Sequence, residues 1–179
     1  MKHRLFKALP CLCLSFGCAL LPCRQAESGS PVIQPHRLAG KAIIVSSHAT
    51  ILVGKAALPL FKQCSRGAPD HVSGYWTPSL SDVQHLERDA LAFLKAQKPP
   101  VRGLMVSDCR QYAGFLRHGR RMIYVNGFPA AVTLNYPVSG RNRWQWEAVV
   151  ICDGGPSLYG MEYDPQTRRF EHLEFNGEA

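Results

Sequence analysis

Along this chain the apolar positions follow two different rhythms. In one stretch Leu80, Val83, Leu86, Ala90, Phe93 and Leu94 recur at spacings of three and four, which is the face of an amphipathic helix. Asp82, Gln84, Glu87, Arg88 and Asp89 fall mostly off that stripe. Thr77-Pro78-Ser79 precedes it, and Ser79 with Asp82 three residues on has the form of a capping box. Pro99-Pro100 then ends the helix.

Beyond the helix the period shortens to two. Cys109 to Phe128 reads as a hairpin turning at His118-Gly119, where glycine accepts the positive φ of a two-residue turn. Pairing Arg117 with Arg120 sets Phe115 opposite Met122 and Ala113 opposite Tyr124 on one face. Leu116 opposite Arg121, Gly114 opposite Ile123 and Tyr112 opposite Val125 then make the other. Trp144, Trp146, Ala148, Val150 and Cys152 alternate with Gln145, Glu147, Val149 and Ile151, which predicts a strand with one apolar face. After the turn residues Asp153-Gly154-Gly155-Pro156, a last hairpin is expected from Leu158–Tyr163 to Arg168–Phe175. Its Asp164-Pro165-Gln166-Thr167 turn has proline where a type I turn favours it. Before the helix, Ala42–Val45 and Ile51–Val53 suggest a strand pair around Ser46-Ser47-His48. A helix from about Thr50 to Phe61 fits the same residues. The fold class expected is α+β: one main helix on an antiparallel meander of about five strands, a two-layer domain whose order is cystatin-like by analogy.

The N-terminus has a different character. Lys2, Arg4 and Lys7, with no acid among them, precede an apolar stretch, Ala8 to Cys23, of signal-peptide length. Arg24 to Pro35 is polar and carries serine, glycine and proline. The organisation expected is a signal peptide or lipoprotein leader over 1–23, a linker over 24–40 and one domain over 41–179. Gly17-Cys18-Ala19 supplies the small residues a signal peptidase needs. Ser15-Phe16-Gly17-Cys18 matches only the end of a lipid-attachment pattern, and Leu20-Leu21-Pro22-Cys23 has proline where a small residue belongs. The expected address is export to the periplasm or to an outer-envelope lipoprotein, with membrane contact only through the leader or a lipid anchor.

The formal charge is +8. Three of those charges, Lys2, Arg4 and Lys7, leave with the leader, so the body keeps about +5, a mild excess for its size. Of the seven cysteines, Cys11, Cys13, Cys18 and Cys23 belong to the leader. Cys64, Cys109 and Cys152 remain, and in an oxidising compartment two of them would pair. Three pairings exist. Cys64 with Cys152 is favoured, since Cys64 precedes the helix and Cys152 ends a strand-like run.

A set of short segments resembles a group of uncharacterised secreted bacterial proteins. They are Cys64-Ser65-Arg66, Gly74-Tyr75-Trp76-Thr77-Pro78, Arg110-Gln111-Tyr112-Ala113-Gly114 and Tyr124-Val125-Asn126. The closing pattern is Cys152-Asp153-Gly154-Gly155, Gly160-Met161-Glu162-Tyr163-Asp164, Phe170 and Leu173-Glu174-Phe175-Asn176-Gly177. The resemblance spans about residues 60 to 178 and implies export and a single domain. It carries no activity.

Candidate chemistry is sparse. His36, His48, His71, His85, His118 and His172 are scattered, with no His-x-x-x-His or Cys-x-x-Cys pair to grip zinc, so neither metal nor cofactor is expected. Gly155-Pro156-Ser157-Leu158-Tyr159-Gly160 has the wrong spacing for a nucleophile elbow. Cys109 or Cys152 with His172 could form a thiol–imidazole pair. Glu162 and Asp164 share a strand face, and Asp164 reads as a turn residue. Asp153-Gly154-Gly155 has the makings of a backbone anion nest or a plain tight turn. One cluster is basic and aromatic. Arg117, Arg120 and Arg121 sit at one hairpin and Arg141 and Arg143 in a loop; with Tyr112, Trp144 and Trp146 they would make a surface of the kind that binds sugars, anionic polymers or proteins. Arginines that keep a hairpin tip soluble and strand aromatics that pack the core account for the same residues with less. The function expected is non-enzymatic binding of an envelope protein or anionic glycan, with nucleic acid excluded by compartment and modest charge. The alternatives are a periplasmic inhibitor or immunity protein against a toxin or wall-degrading enzyme, and a thiol-dependent hydrolase.

Overall fold

The structure, a computed structural model, describes residues 37–38, 40–98, 105–135, 137–138 and 141–178. The leader, nearly all of the linker, and Pro99-Pro100 lie outside the described residues. The elements run β1 (Arg37–Leu38), β2 (Ala42–Ser46), β3 (Ala49–Leu52), β4 (Val72–Trp76), α1 (Leu80–Ala96), β5 (Asp108–Arg117), β6 (Arg120–Pro129), β7 (Pro137–Val138), β8 (Arg141–Asn142), β9 (Tyr159–Asp164) and β10 (Arg169–Phe175).

Eight strands make the main sheet, in the order β1-β2-β3-β5-β6-β9-β10 with β4 added on β5. The α+β class holds, with more strands than the expected five because four of them precede the helix. The short pair β7–β8 stands apart. Every main-sheet pairing is antiparallel except β3 with β5. That parallel pair is joined through α1, the crossover that a parallel connection demands. The β5–β6 register runs from Arg117 opposite Arg120 down to Asp108 opposite Pro129. His118 (φ 48) and Gly119 (φ 78) make its turn, both left-handed as a type I′ turn requires.

Helix α1 starts where its cap places it: Ser79 Oγ accepts from the Asp82 N–H, and the Asp82 carboxylate accepts from the Ser79 N–H at 2.8 Å. It buries Val83, Leu86, Ala90 and Leu94 against Ile51, Tyr112, Ile123, Val125, Met161 and Tyr163 of the sheet. Burying each such valine or leucine side chain contributes about 1.5–3 kcal/mol. Glu87 and Asp89, which flank the stripe, reach down to the sheet as well. Glu87 accepts from Tyr112 Oη at 2.6 Å and from Arg110 Nη2 at 3.0 Å, and Asp89 accepts from Tyr163 Oη at 2.7 Å. Burial, then Asp89, push the Tyr163 phenol up to about 12. Gly127 makes room for a ring: a Cβ there would lie 2.0 Å from Cζ of Tyr159, its cross-strand partner.

The opposite face of the sheet carries Ala113, Phe115, Met122 and Tyr124. Among the described residues its cover holds no strand of the main sheet and no α-helix: one stretch follows β3, where a 3₁₀ turn (Leu58–Phe61) buries Leu60, and the other runs from Trp144 to Ile151. The Cys64–Cys152 disulfide joins the two stretches, and Cys109 is free and buried.

The strand expected over Trp144 to Cys152 is absent; a 3₁₀ turn (Arg143–Gln145) and irregular chain take its place. Side-chain amides from the sheet do the work of a neighbouring strand. Gln111 Nε2 donates to the carbonyls of Trp144 (2.5 Å) and Glu147 (2.6 Å), and its Oε1 accepts from the Val149 N–H (2.9 Å). Asn126 Nδ2 donates to the Val149 carbonyl (2.9 Å) and to Gln111 Oε1 (3.0 Å). Asn176 Nδ2 donates to the carbonyls of Ile151 and Asp153. Buried Arg66 joins these groups, donating to Tyr124 Oη at 3.1 Å and to the side-chain oxygens of Asn126 and Asn176. Buried backbone groups must find partners, and here they find amides.

Candidate functional site

Hairpin β5–β6 decides what becomes of the predicted basic aromatic surface, because alternation sends its residues to opposite faces. Arg117 turns to the cover face and is buried. It pairs with Glu162 (Nη2 to Oε1 2.9 Å, Nη1 to Oε2 2.5 Å) and with Asp70 (2.8 Å). Burial opposes its charge, but Glu162, Asp70 and Glu171 outweigh this and hold its pKa above the ordinary value. Tyr112 and Trp144 are core residues at 0% and 1% exposure, not surface aromatics. Trp146 is half-buried, and exposed Arg143 pairs with Glu147 four residues on. Arg141 lies in β8. Trp144 packs against the start of β5, next to Gln111. The hairpin turn is about six residues further along, roughly 20 Å away at strand rise. The eight predicted residues therefore do not form one surface.

Arg120 and Arg121 stay exposed at the hairpin end. There they line a cleft of about 480 Å³ with Trp76 from β4, Asp82 from the first turn of α1, and Pro165 and Gln166 from the β9–β10 turn. Trp76 is the aromatic that sequence reasoning missed. It lies 45 positions before Arg121, and only β4–β5 pairing, with Trp76 opposite Gly114, brings it there. Its indole N–H donates to the carbonyls of Phe115 (3.1 Å) and Met122 (3.0 Å), which pins the ring to the hairpin. The Arg121 guanidinium stacks over that ring, 5.2 Å from its centroid. Arg120 pairs with Asp164 at 3.2 Å. Arg121 forms no salt bridge among the described residues.

The thiol candidates fare differently. Cys152 is spent in the disulfide. Cys109 is 2% exposed, and burial pushes its thiol up. It faces β6, with Phe128 opposite, while His172 is on β10 three strands across, about 14 Å by strand spacing. Glu162, Glu171 and His172 do bring one ligand atom each within 4.8 Å of one another, a grouping the sequence hid because a β-bulge after Glu171 turns His172 (φ 52). The Arg117 guanidinium on Glu162 already supplies the positive charge at that point. The nest reading of Asp153-Gly154-Gly155 gives way to a turn, with the Gly155 N–H donating to the Gly177 carbonyl. Asp164 is a turn residue, accepting from the N–H groups of Gln166 and Thr167. His48, His71, His85, His118 and His172 are all exposed.

Among the described residues, no helix is long and apolar enough to cross a membrane. No protein family, curated protein or solved structure matches the chain.

Proposed function

We propose that this protein is an exported, non-enzymatic binding domain that holds a carboxylate-bearing envelope glycan in the cleft at the β5–β6 hairpin end. One observation carries the reading: the Arg121 guanidinium, without an ionic partner among the described residues, stacked on a Trp76 ring that is itself fixed by two backbone carbonyls. An arginine held over a ring in this way offers two parallel N–H groups to a carboxylate. The ordering cost that a free surface arginine would incur on binding is reduced by the stack. Asp82 and Gln166 add acceptors and donors suited to sugar hydroxyls. The apolar leader pattern, with its basic start, and the Cys64–Cys152 disulfide support export.

The test is a titration of the mature protein with a galacturonic-acid oligosaccharide and with its neutral methyl ester, followed by amide NMR shifts. The acid should bind at Trp76, Arg121 and Gln166, weaken steeply with salt, and lose at least tenfold in affinity in Arg121→Gln. Equal binding of the ester, or shifts confined to other surfaces, would reject the reading. The intact mass of the envelope form, before and after reduction, tests export: an uncut chain with three reduced body thiols would remove it.

A further inference from the structure

A second opening lies on the cover face, across the sheet from the hairpin-end cleft and independent of it. It is a cavity of about 520 Å³ between the turn before β2, the turn after β3 and the Trp146–Ala148 stretch. The first two turns are tied together by the Val53 N–H, which donates to the Lys41 carbonyl at 2.8 Å. The third is anchored through Gln111, which holds the Glu147 carbonyl. The walls are thus fixed by the sheet on three sides. Val53, Pro59, Trp146 and Ala148 make them apolar. Gly40 (φ 72) and Gly54 (φ 58) line the same space.

Charge around this cavity has one sign. Glu147 is the acid in the lining, and Arg143 neutralises it. Lys41 and Lys55, both exposed, form no salt bridge among the described residues. Two exposed lysines therefore line an apolar space of the size that takes a small ligand. We infer that this cavity binds an amphipathic monoanion, an aliphatic chain ending in a carboxylate or phosphate. The chain displaces water from Trp146, Val53, Pro59 and Ala148, and the anion sits between Lys41 and Lys55. A neutral chain gains only the first of these interactions, and a small hydrophilic anion only the second.

The probe is octanoate below its micelle concentration, with octanol as the neutral isostere, titrated into the mature disulfide-bonded protein. Octanoate should saturate at one molecule per chain, shifting the amides of Gly40, Val53, Gly54 and Ala148 and the indole of Trp146, and should bind at least tenfold tighter than octanol. Lys41→Gln with Lys55→Gln, two exposed positions whose loss leaves packing intact, should erase that difference. Ala56→Leu, which narrows the chamber without touching charge, should weaken both probes. A parallel arm sediments the protein with phosphatidylglycerol vesicles. Capture that vanishes in the double lysine variant places the anion on a lipid surface, and octanoate binding without capture places it on a free acid. Shifts that fail to saturate or fall outside this cavity, octanol binding as well as octanoate, or full binding by the double variant would each overturn the inference. None of these results depends on the fate of the Arg121 cleft.

Discussion

Replacing Gln111 with methionine isolates the device that holds the cover on the sheet. The side chain is fully buried and makes four hydrogen bonds, to Trp144 O, Glu147 O, Val149 N and Asn126 Nδ2. Methionine matches its length and keeps the apolar contact, so little of the effect comes from a cavity. What changes is that two donors and two acceptors lose their partner. Glu147 is half-buried and water can reach its carbonyl. The Trp144 carbonyl and the Val149 N–H are enclosed and left without a partner, whereas Asn126 Nδ2 keeps its bond to the Val149 carbonyl; orphaning a buried polar group costs about 1–3 kcal/mol. The expected loss from these two is about 2–6 kcal/mol, a large share of the net stability of an ordinary domain. In a body of this size that corresponds to roughly 5–20 °C in Tm. Urea unfolding with the disulfide intact gives the free energy. Hydrogen exchange gives the location: the Val149 amide should become the most weakened in the cover while the β5–β6 amides stay protected. Arg143→Gln, which removes only an exposed ion pair, should cost no more than about 0.5 kcal/mol. If Gln111→Met cost less than about 1 kcal/mol with Val149 still protected, the idea that amides replace a strand here would be wrong.

Three further outcomes follow from the same structure. Cys64→Ala with Cys152→Ala opens a closure of 88 residues, worth about 4.6 kcal/mol in the chain-entropy model; denaturant unfolding of the oxidised and double-variant proteins measures it, and a loss under about 1 kcal/mol would refute it. Asp108 has its pKa raised, first by burial, against the Met105 N–H and Arg110. A carboxyl raised in this way favours folding below its unfolded pKa of about 3.9 and loses that contribution as pH rises through the folded value; Asp108→Asn should therefore raise Tm at pH 7, the gap closing toward pH 4, and a variant less stable than its parent at pH 7 contradicts this. Gly127→Ala places a methyl into the Tyr159 ring and should cost about 1–3 kcal/mol, most of it restored by Tyr159→Leu in the same chain, as a double-mutant cycle in urea would read.

The hairpin β5–β6 and the helix could be read from the chain because their causes are local. A two-residue turn sets the register of twenty residues, and Ser79 with Asp82 closes a cap within four positions. Trp144–Cys152 misled because alternation reports burial on one side, not what satisfies the backbone. Its partners, Gln111 and Asn126, sit on strands and look like ordinary polar strand residues. The hairpin-end cleft was half visible. Arg120 and Arg121 stand out at a hairpin turn, but their aromatic partner arrives through β4, and the burial of Arg117 depends on Glu162 and Asp70 from distant segments. Which face a strand arginine takes is a property of the assembled sheet.

The fork at β5 has a further consequence. Its first half borders β3 and its second half β4 along one flank, with β6 along the whole of the other. The β6 partnership is a local hairpin, whereas Ala49 must find Arg110 and Trp76 must find Gly114 across 61 and 38 positions of chain. Loop closure over such separations is slow relative to hairpin formation. During assembly, β5 and β6 therefore come together as a seed, and the two upstream strands arrive later, each on its own half of the remaining border. A pulse-labelling experiment should catch the β5–β6 amides shielded before those of β3 and β4.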